Sequence, residues 1–347
     1  MGIDRLPHLF VVQLERDERD AAVQLCEELV HSFSSEKNHT LPGMTETYAQ
    51  ELPRGLRSEL NRFRLEEPAC ICLVRGFPID DDALGTTPSD WRGALDTARS
   101  AEVFFILCAC LLGSPFGWAT KHGGRIVHTI VPTPCDEMEQ LASSSAETLT
   151  WHTEDSFHPL RADYVGLMCL RNPCNTKTTF TCVHDLHPDV RQDAVLYEPR
   201  FRIVPDESHL NANSAKEGGA KQLQLLARAK ASIEKMIADS NPVPLLFGDP
   251  DSPYMRLDQF FSEPLDGDVR AAKSMGALYR SVAAGLKGYA LQPGEICFVD
   301  NYRAVHGRDA FRARYDGKDR WLLRLNVTRD LRKSREQRIS SGSRIVY

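Results

Sequence analysis

The sequence lacks any stretch approaching the roughly 18 consecutive apolar residues that a membrane-spanning helix needs. Its opening, MGIDRLPHLFVVQLERDERD, has no long apolar core and carries acids early, unlike a secretory signal. Gly2 is followed at position 6 by Leu, where myristoylation would want Ser or Thr. Positive charge is not in excess: 42 Lys and Arg stand against 48 Asp and Glu, for a net −6. That balance argues against non-specific nucleic-acid binding. Ten cysteines are present but no C-x-x-C, which disfavours a structural zinc or a thioredoxin-like site. Most sit in apolar runs such as ACICLVRGF and FFILCACLLG and are expected as buried free thiols. Internal repeats and low-complexity tracts are also missing. These absences together predict a cytoplasmic globular protein without membrane or nucleic-acid partners.

What is present is a chain of 347 residues, 42% hydrophobic and 26% charged. Residues 15–65 are expected to be mainly helical, with ERDERDAAVQLCEELVHSF the clearest amphipathic segment. ACICLVRGF (69–77) predicts a buried strand. SAEVFFILCACLLG (100–113) is apolar on all faces and predicts a buried helix ending at Gly113. From about 125 the texture changes to β-branched and aromatic runs bounded by turn formers: RIVHTIV, TLTWHTED, DYVGLMCLRN, KTTFTCVHDL, EICFVDN and RWLLRLNVT. Helices are expected near 220–239 and 267–287. Strands do not alternate regularly with helices, so an α+β, mainly antiparallel barrel or double-sheet jelly roll with flanking helices is favoured over a parallel sheet. The polar segment 205–222, PDESHLNANSAKEGGAKQ, is expected to be a lid loop.

The chemistry gathers around Trp151–His152–Thr153–Glu154–Asp155. His152 and Glu154 are two apart, so a strand would place both on one face, where they could share a metal ion. FVDNYRAVHGR supplies a third ligand, His306, just past a predicted strand. Two His and one carboxylate leave open positions on an octahedral ion, the pattern of non-haem iron(II) oxygenases. H-x-E alone arises often by chance. Arg320, 14 residues after His306 in another predicted strand, makes the conjunction rarer. A guanidinium there could grip a dicarboxylate co-substrate through two parallel hydrogen bonds.

With these residues the chain resembles the clavaminate-synthase-like iron(II)/2-oxoglutarate dioxygenases. More narrowly, it is similar to bacterial hydroxylases of free amino acids, typified by arginine hydroxylases, that supply peptide-antibiotic pathways. The stretches that carry the resemblance are GTTPSDWR (85–92), GSPFGWAT (113–120), TWHTEDSFHPLRADYVGLMCLRNP (150–173), PDESHL (205–210), SPYMRLD (252–258), FVDNYRAVHGR (298–308) and ARYDGKDRWLLRLNVTRDLRKSR (313–335).

The resemblance implies a distorted jelly roll, the double-stranded β-helix, in one domain spanning 1–347. Its helical part would run to about 68 and its core over about 69–330. It implies Fe(II) on His152, Glu154 and His306, with 2-oxoglutarate and O₂ as co-substrates. Arg320 would bind the distal carboxylate of 2-oxoglutarate, with Thr179 a second candidate. Arg324 would bind the α-carboxylate of the amino acid. Asp206 and Ser208 would close over it, and Asp258 would face a guanidinium, unless it pairs with Arg256. Lys121 would stand beside the substrate amine, pointing to solvent or meeting Asp155.

Two departures bear on the substrate: Phe260 stands where one arginine hydroxylase of this kind has a second acid, and Lys121 where a Gln follows FGWAT. C3 hydroxylation of arginine or an arginine-like residue is expected. C4 hydroxylation or desaturation remains open, as do citrulline, enduracididine, lysine and carrier-bound substrates. A zinc hydrolase on the same three ligands would leave Arg320 without a task. A non-catalytic metabolite-binding jelly roll would have no use for the ligands.

Overall fold

Alternation along the strand Trp321–Thr328 organises the molecule. Trp321, Leu323, Leu325 and Val327 enter one apolar cluster, whereas Leu322 enters another. Successive side chains of a strand point to opposite faces, so this strand is buried on both sides. In the computed structural model, which describes residues 9–32, 45–93, 96–205, 209 and 219–347, it lies inside an eight-stranded sheet. The order is Leu9–Gln13, Ile71–Arg75, Ile296–Asp300, Tyr164–Arg171, Trp321–Thr328, Ser114–Trp118 and Ile345–Val346, with Val127–Ile130 also paired to Trp321–Thr328. The first and last pairings are parallel and the others antiparallel.

One face of this sheet is covered by helices. Arg99–Leu112 is buried nearly all round, as its composition predicts, and packs against Arg16–Ser32, Thr45–Ala49 and Arg54–Glu66. The other face meets a smaller sheet ordered Lys287–Tyr289, Thr178–Cys182, Ala304–Arg308 and Leu149–His152. Phe180, Cys182 and Ala304 of the small sheet share a cluster with Val165, Leu167 and Leu322 of the large one. Trp151, Val183 and Val305 point the opposite way, into a cluster with Leu278 and Val282 of the helix Val269–Gly285. The sheets therefore lie face to face, and His152 and His306, each next to an outward residue, are turned into the space between them.

Two sequence expectations need amendment. The segment Leu9–Gln13, read as part of a helical N-terminal region, is a strand: LFVVQ pairs in register with Ile71–Arg75 and extends the large sheet. Partner strand and β-branched content outweigh the amphipathic pattern that follows it. The cysteines are free, but Cys135 and Cys174 are exposed. Asp249 and Asp251 form the turn of the hairpin joining Leu246–Asp249 to Ser252–Met255, as the turn chemistry suggests. Among the described residues no helix is long and apolar enough to cross a membrane.

Gly307 shows how tightly the small sheet is drawn together. A Cβ there would lie 2.5 Å from the Leu149 carbonyl oxygen and 3.1 Å from Thr179 Oγ1. Gly307→Ala must push apart the strands that carry His152 and His306. It is expected to lower stability by about 1–3 kcal/mol, as overpacking does, and to weaken metal binding as well. Urea denaturation and a cobalt(II) titration check both; unchanged metal affinity would show that the strands tolerate the shift.

Candidate active site

Register, not sequence proximity, builds the centre. His306 stands directly opposite His152 across antiparallel strands, with a bulge just after it toward Arg308. The His rings are 4.7 Å apart, and Glu154 Oε2 lies 3.9 Å from His152 Nε2 and 3.8 Å from His306 Nε2. The three ligand atoms lie within 4.8 Å of one another, close enough to hold one divalent ion. His152 Nδ1 lies 2.8 Å from the Thr150 carbonyl and donates to it, which aims the Nε2 lone pair at the common point. Burial pushes His306 down to about 3, keeping its ring neutral as a ligand must be. Burial also works to lower His152, but Glu154 and Asp258 outweigh it and lift the ring to about 9, so a metal ion must displace its Nε2 proton on binding.

Glu154 is set from behind. Asn301, fully buried, accepts from the Glu154 N–H at 2.7 Å and donates to its carbonyl at 3.1 Å and to that of Ala162 at 2.9 Å. The other carboxylate oxygen, Oε1, is 3.1 Å from Arg324 and 3.5 Å from Lys121. Burial alone would raise the carboxyl, yet these two cations hold it well below its usual range. Oε2 faces the imidazoles and is also reached by Arg324 NH1 at 3.4 Å, while Oε1 is engaged by both cations.

Arg320 and Arg324 face the same space as Leu322, between the sheets. Arg320 is 6% exposed, its Nε has no hydrogen-bond partner among the described residues, and its guanidinium lies 5.9 Å from the Phe311 ring centre. Burial lowers it to about 10. Arg308, two residues after His306, stands 5.1 Å from the same ring and is tied to Ser144 and the Glu147 carbonyl. A buried guanidinium facing no carboxylate is costly, so the pocket suits an incoming acid.

Sequence and structure comparisons now bear on this geometry. No family model matches the chain. Enduracididine beta-hydroxylase of Streptomyces hygroscopicus is 41% identical over 344 residues, covering 98% of this chain and 100% of that protein. L-ornithine/L-arginine 3-hydroxylase of Catenulispora acidiphila is 45% identical over 305 residues, covering 86% and 88%. The solved non-heme iron oxygenase OrfP, in complex with Fe, succinate and (3S)-hydroxy-L-Arg, superposes with a TM-score of 0.88 at 39% identity, covering 97% of this chain and 99% of its own. The chain belongs to the clavaminate-synthase-like iron(II)/2-oxoglutarate oxygenases. It is an amino-acid hydroxylase of that family, using iron(II), 2-oxoglutarate and O₂.

For this iron(II)/2-oxoglutarate oxygenase the structure corrects the expectation for Thr179. In the pairing of Thr178–Cys182 with Ala304–Arg308, Thr179 stands opposite Gly307 and shares the outward face of Val305. Thr178, opposite Arg308 and buried, is the threonine on the face of His306. Asp258 does reach the centre: it bridges His152 on the side away from His306. Its Oδ1 also caps the turn at Phe260 and Phe261, at 2.8 and 3.1 Å. Arg256 does not serve as its ion-pair partner. Arg256 donates instead to the carbonyls of Ser156 and Phe157.

Lys121 does not point to solvent. It is buried, and its Nζ lies 2.8 Å from Asp155 Oδ1. Asp155 has left-handed backbone at φ 48°, a costly conformation for a non-glycine residue. Three side chains hold it: Trp118 Nε1 donates to Oδ2 at 2.6 Å, and Lys121 and His209 Nε2 meet Oδ1, the latter at 3.0 Å. Thr120 Oγ1 completes the group at 2.8 Å from His209 Nδ1. Burial would raise the Asp155 carboxyl, but Lys121 and His209 hold it below the usual range.

His209 escaped sequence reading because a lone His in a polar loop carries no signal of burial. Asp206 and Ser208 lie outside the described residues, as does most of the expected lid, apart from 205, 209 and 219–222. His209→Ala would leave Asp155 and Thr120 short of a partner. It is expected to cost about 1–3 kcal/mol, the penalty for an unsatisfied buried group, measurable as a lower urea midpoint. An unchanged midpoint would mean that water replaces the imidazole at no cost.

Proposed function

We propose that the chain hydroxylates C3 of free L-arginine, or of a closely similar amino acid, in specialised-metabolite biosynthesis of the peptide-antibiotic kind. The observation that carries the chemistry is the pairing of His152 with His306 beside Glu154, on the face that also bears a buried Arg320 with no acid partner. Support for the substrate comes from the relatives: one is named for enduracididine, another for ornithine and arginine, and OrfP holds (3S)-hydroxy-L-Arg.

In this reading residues 1–347 form one domain. A helical part precedes a core over about 69–330 built as a distorted jelly roll, with a lid at about 205–222. The two facing sheets, with the ligands between them, support it.

His152, Glu154 and His306 would hold iron(II); two neutral imidazoles and one carboxylate oxygen leave three positions open. Arg320, with Thr178 instead of Thr179, would hold the distal carboxylate of 2-oxoglutarate. Bound there, the metal and 2-oxoglutarate supply the oxidising power: succinate and CO₂ leave, one atom of O₂ enters succinate and the other the substrate C–H bond. The chain's own residues decide which bond that is. Arg324 would take the α-carboxylate, Asp258 would face the guanidinium, and Asp206 and Ser208 would close over the substrate. Lys121 does not oppose a cationic substrate, because Asp155 offsets its charge at 2.8 Å. An α-carbon held at Arg324, which touches Glu154, brings Cβ nearest the metal ligands and favours C3. A displacement of about 1 Å would redirect attack to C4 or turn hydroxylation into desaturation.

The test is anaerobic reconstitution with Fe(II), then O₂, 2-oxoglutarate and a panel of free L-amino acids, including arginine, citrulline, enduracididine and lysine. Succinate and substrate mass are followed together. Arginine-dependent succinate with a +16 product hydroxylated at C3 is the expected result. A −2 product means desaturation. Turnover only of a carrier-tethered residue would overturn the free-amino-acid reading.

A further inference from the structure

Arg324 is oriented from two sides, and only one of them is the metal ligand. On the side away from Glu154, its NH2 lies 3.4 Å from His128 Nδ1. The two residues are direct cross-strand partners: His128 in Val127–Ile130 pairs with Arg324 in Trp321–Thr328. Such partners share a face, with Cβ atoms about 5 Å apart.

The direction of these hydrogen bonds follows from donor chemistry. His128 Nε2 lies 2.8 Å from the Arg125 carbonyl, which can only accept, so Nε2 carries the proton. A guanidinium has no lone pair, so His128 Nδ1 must be the acceptor toward Arg324. His122 Nδ1 lies 3.1 Å from the same Nδ1 and must therefore donate to it. The whole set is consistent only with a neutral His128. Its burial, with Arg324 alongside, keeps the ring neutral down to about pH 3.

His122 is brought there by an unusual turn. His122, Gly123 and Gly124 all have left-handed backbone, at φ 47°, 65° and 81°. For His122 this is strained, and strain of this kind persists only where the surroundings enforce it. The turn folds the loop back so that the His122 ring stands edge-on to His128, 4.3 Å away, and to Trp91, 5.1 Å away. Arg324 is thus fixed through NH1 by Glu154 and through NH2 by His128. Its Nε is buried without a partner among the described residues. Nε and NH2 form the edge through which an arginine meets a carboxylate in two parallel hydrogen bonds.

We propose that His128, braced by His122, is a positioning residue that presents the Nε edge of Arg324 to the carboxylate of the amino-acid substrate. This rests on the reading of Arg324 given above. His128 itself touches neither the metal ligands nor the reacting carbon. It acts by holding a flexible four-bond side chain in one orientation, and so contributes to selection for a free carboxylate.

The experiment compares L-arginine with L-argininamide, which lacks the carboxylate, on the iron-loaded full chain with 2-oxoglutarate. His128→Leu removes the acceptor. It is expected to raise KM for arginine about tenfold, the worth of one hydrogen bond to a charged group, with kcat little changed. The amide should be affected much less, so the acid-to-amide preference falls. His128→Asn, whose Oδ1 stands near the Nδ1 position, should recover most of that preference. His122→Phe keeps the ring against Trp91 but loses the donor, and should give a smaller fall in the same direction. KM for 2-oxoglutarate and cobalt(II) affinity should stay at the wild-type values.

Equal loss for acid and amide, or loss of cobalt binding, would mark His128 as merely structural and overturn the proposal. So would an unchanged preference in both His128→Leu and His122→Phe. A wild-type protein that converts no panel amino acid would instead overturn the functional reading, and this inference with it. Turnover with an unaltered preference sinks the inference alone.

Discussion

Glu154→Ala is expected to bring hydroxylation to background and to weaken cobalt(II) or iron(II) binding by more than about 100-fold, since losing even an outer partner of a metal ligand costs 10–100-fold. The same change should also destabilise the metal-free protein. Glu154 is the acid against which Arg324 lies at 3.1 Å and Lys121 at 3.5 Å, all of them buried. Removing one member of a buried ion pair leaves an uncompensated charge and costs about 3–5 kcal/mol. His306→Ala provides the contrast. Its ring is neutral, and its Nδ1 has no partner among the described residues, so its loss should abolish metal binding with a much smaller drop in stability. Cobalt(II) absorption titrations and urea denaturation of both variants test this. Equal stability losses would show that Glu154 does not offset the two cations, and retained metal affinity in either variant would remove that residue from the ligand set.

Arg320→Met should raise KM for 2-oxoglutarate by about 10²–10³-fold. That is the 3–5 kcal/mol expected when one partner of a buried pair is lost, at about 1.4 kcal/mol per tenfold. Here the stability should move the other way. Among the described residues Arg320 has no partner for its Nε and has the Phe311 ring near its face, so the apo protein bears the cost of a buried charge without its counter-ion. The methionine variant is expected to be at least as stable in urea as the wild type, and less responsive to stabilisation by 2-oxoglutarate. Arg320→Lys should recover little, because an ammonium cannot reproduce two parallel donors. An unchanged KM for 2-oxoglutarate would mean that the co-substrate carboxylate lies elsewhere, with Arg308 the next guanidinium to examine.

The centre was legible where chemistry lies close along the chain. His152 and Glu154 are separated by one residue, so the pair is visible in the sequence, but the strand Leu149–His152 ends at the histidine and Glu154 is placed by the turn that follows and by Asn301. The apolar segment around Leu107 announces a helix buried on all sides. Other features depended on partners that are distant in sequence. Thr178 and Thr179 are adjacent and chemically identical, and only the pairing of Thr179 with Gly307 decides which of them shares the face of His306. A one-residue slip of register exchanges every side chain between faces, so composition could not choose. Lys121 was ambiguous for a related reason: a lysine in a loop is ordinarily solvated, and its burial depends on Asp155 being held within reach. The strand Leu9–Gln13 became a strand because Ile71–Arg75 was there to pair with it.

By itself the sequence determined the ligand types and the strand-rich core and singled out Arg320 as a candidate, because these follow from residue identity and short-range periodicity. Tertiary structure alone decided that His306 stands opposite His152, that Glu154 meets Arg324 and Lys121 as well as the two imidazoles, and that His209 is buried against Asp155. Those outcomes turn on strand register and on the cost of burying charge, and both arise only once distant segments are brought together.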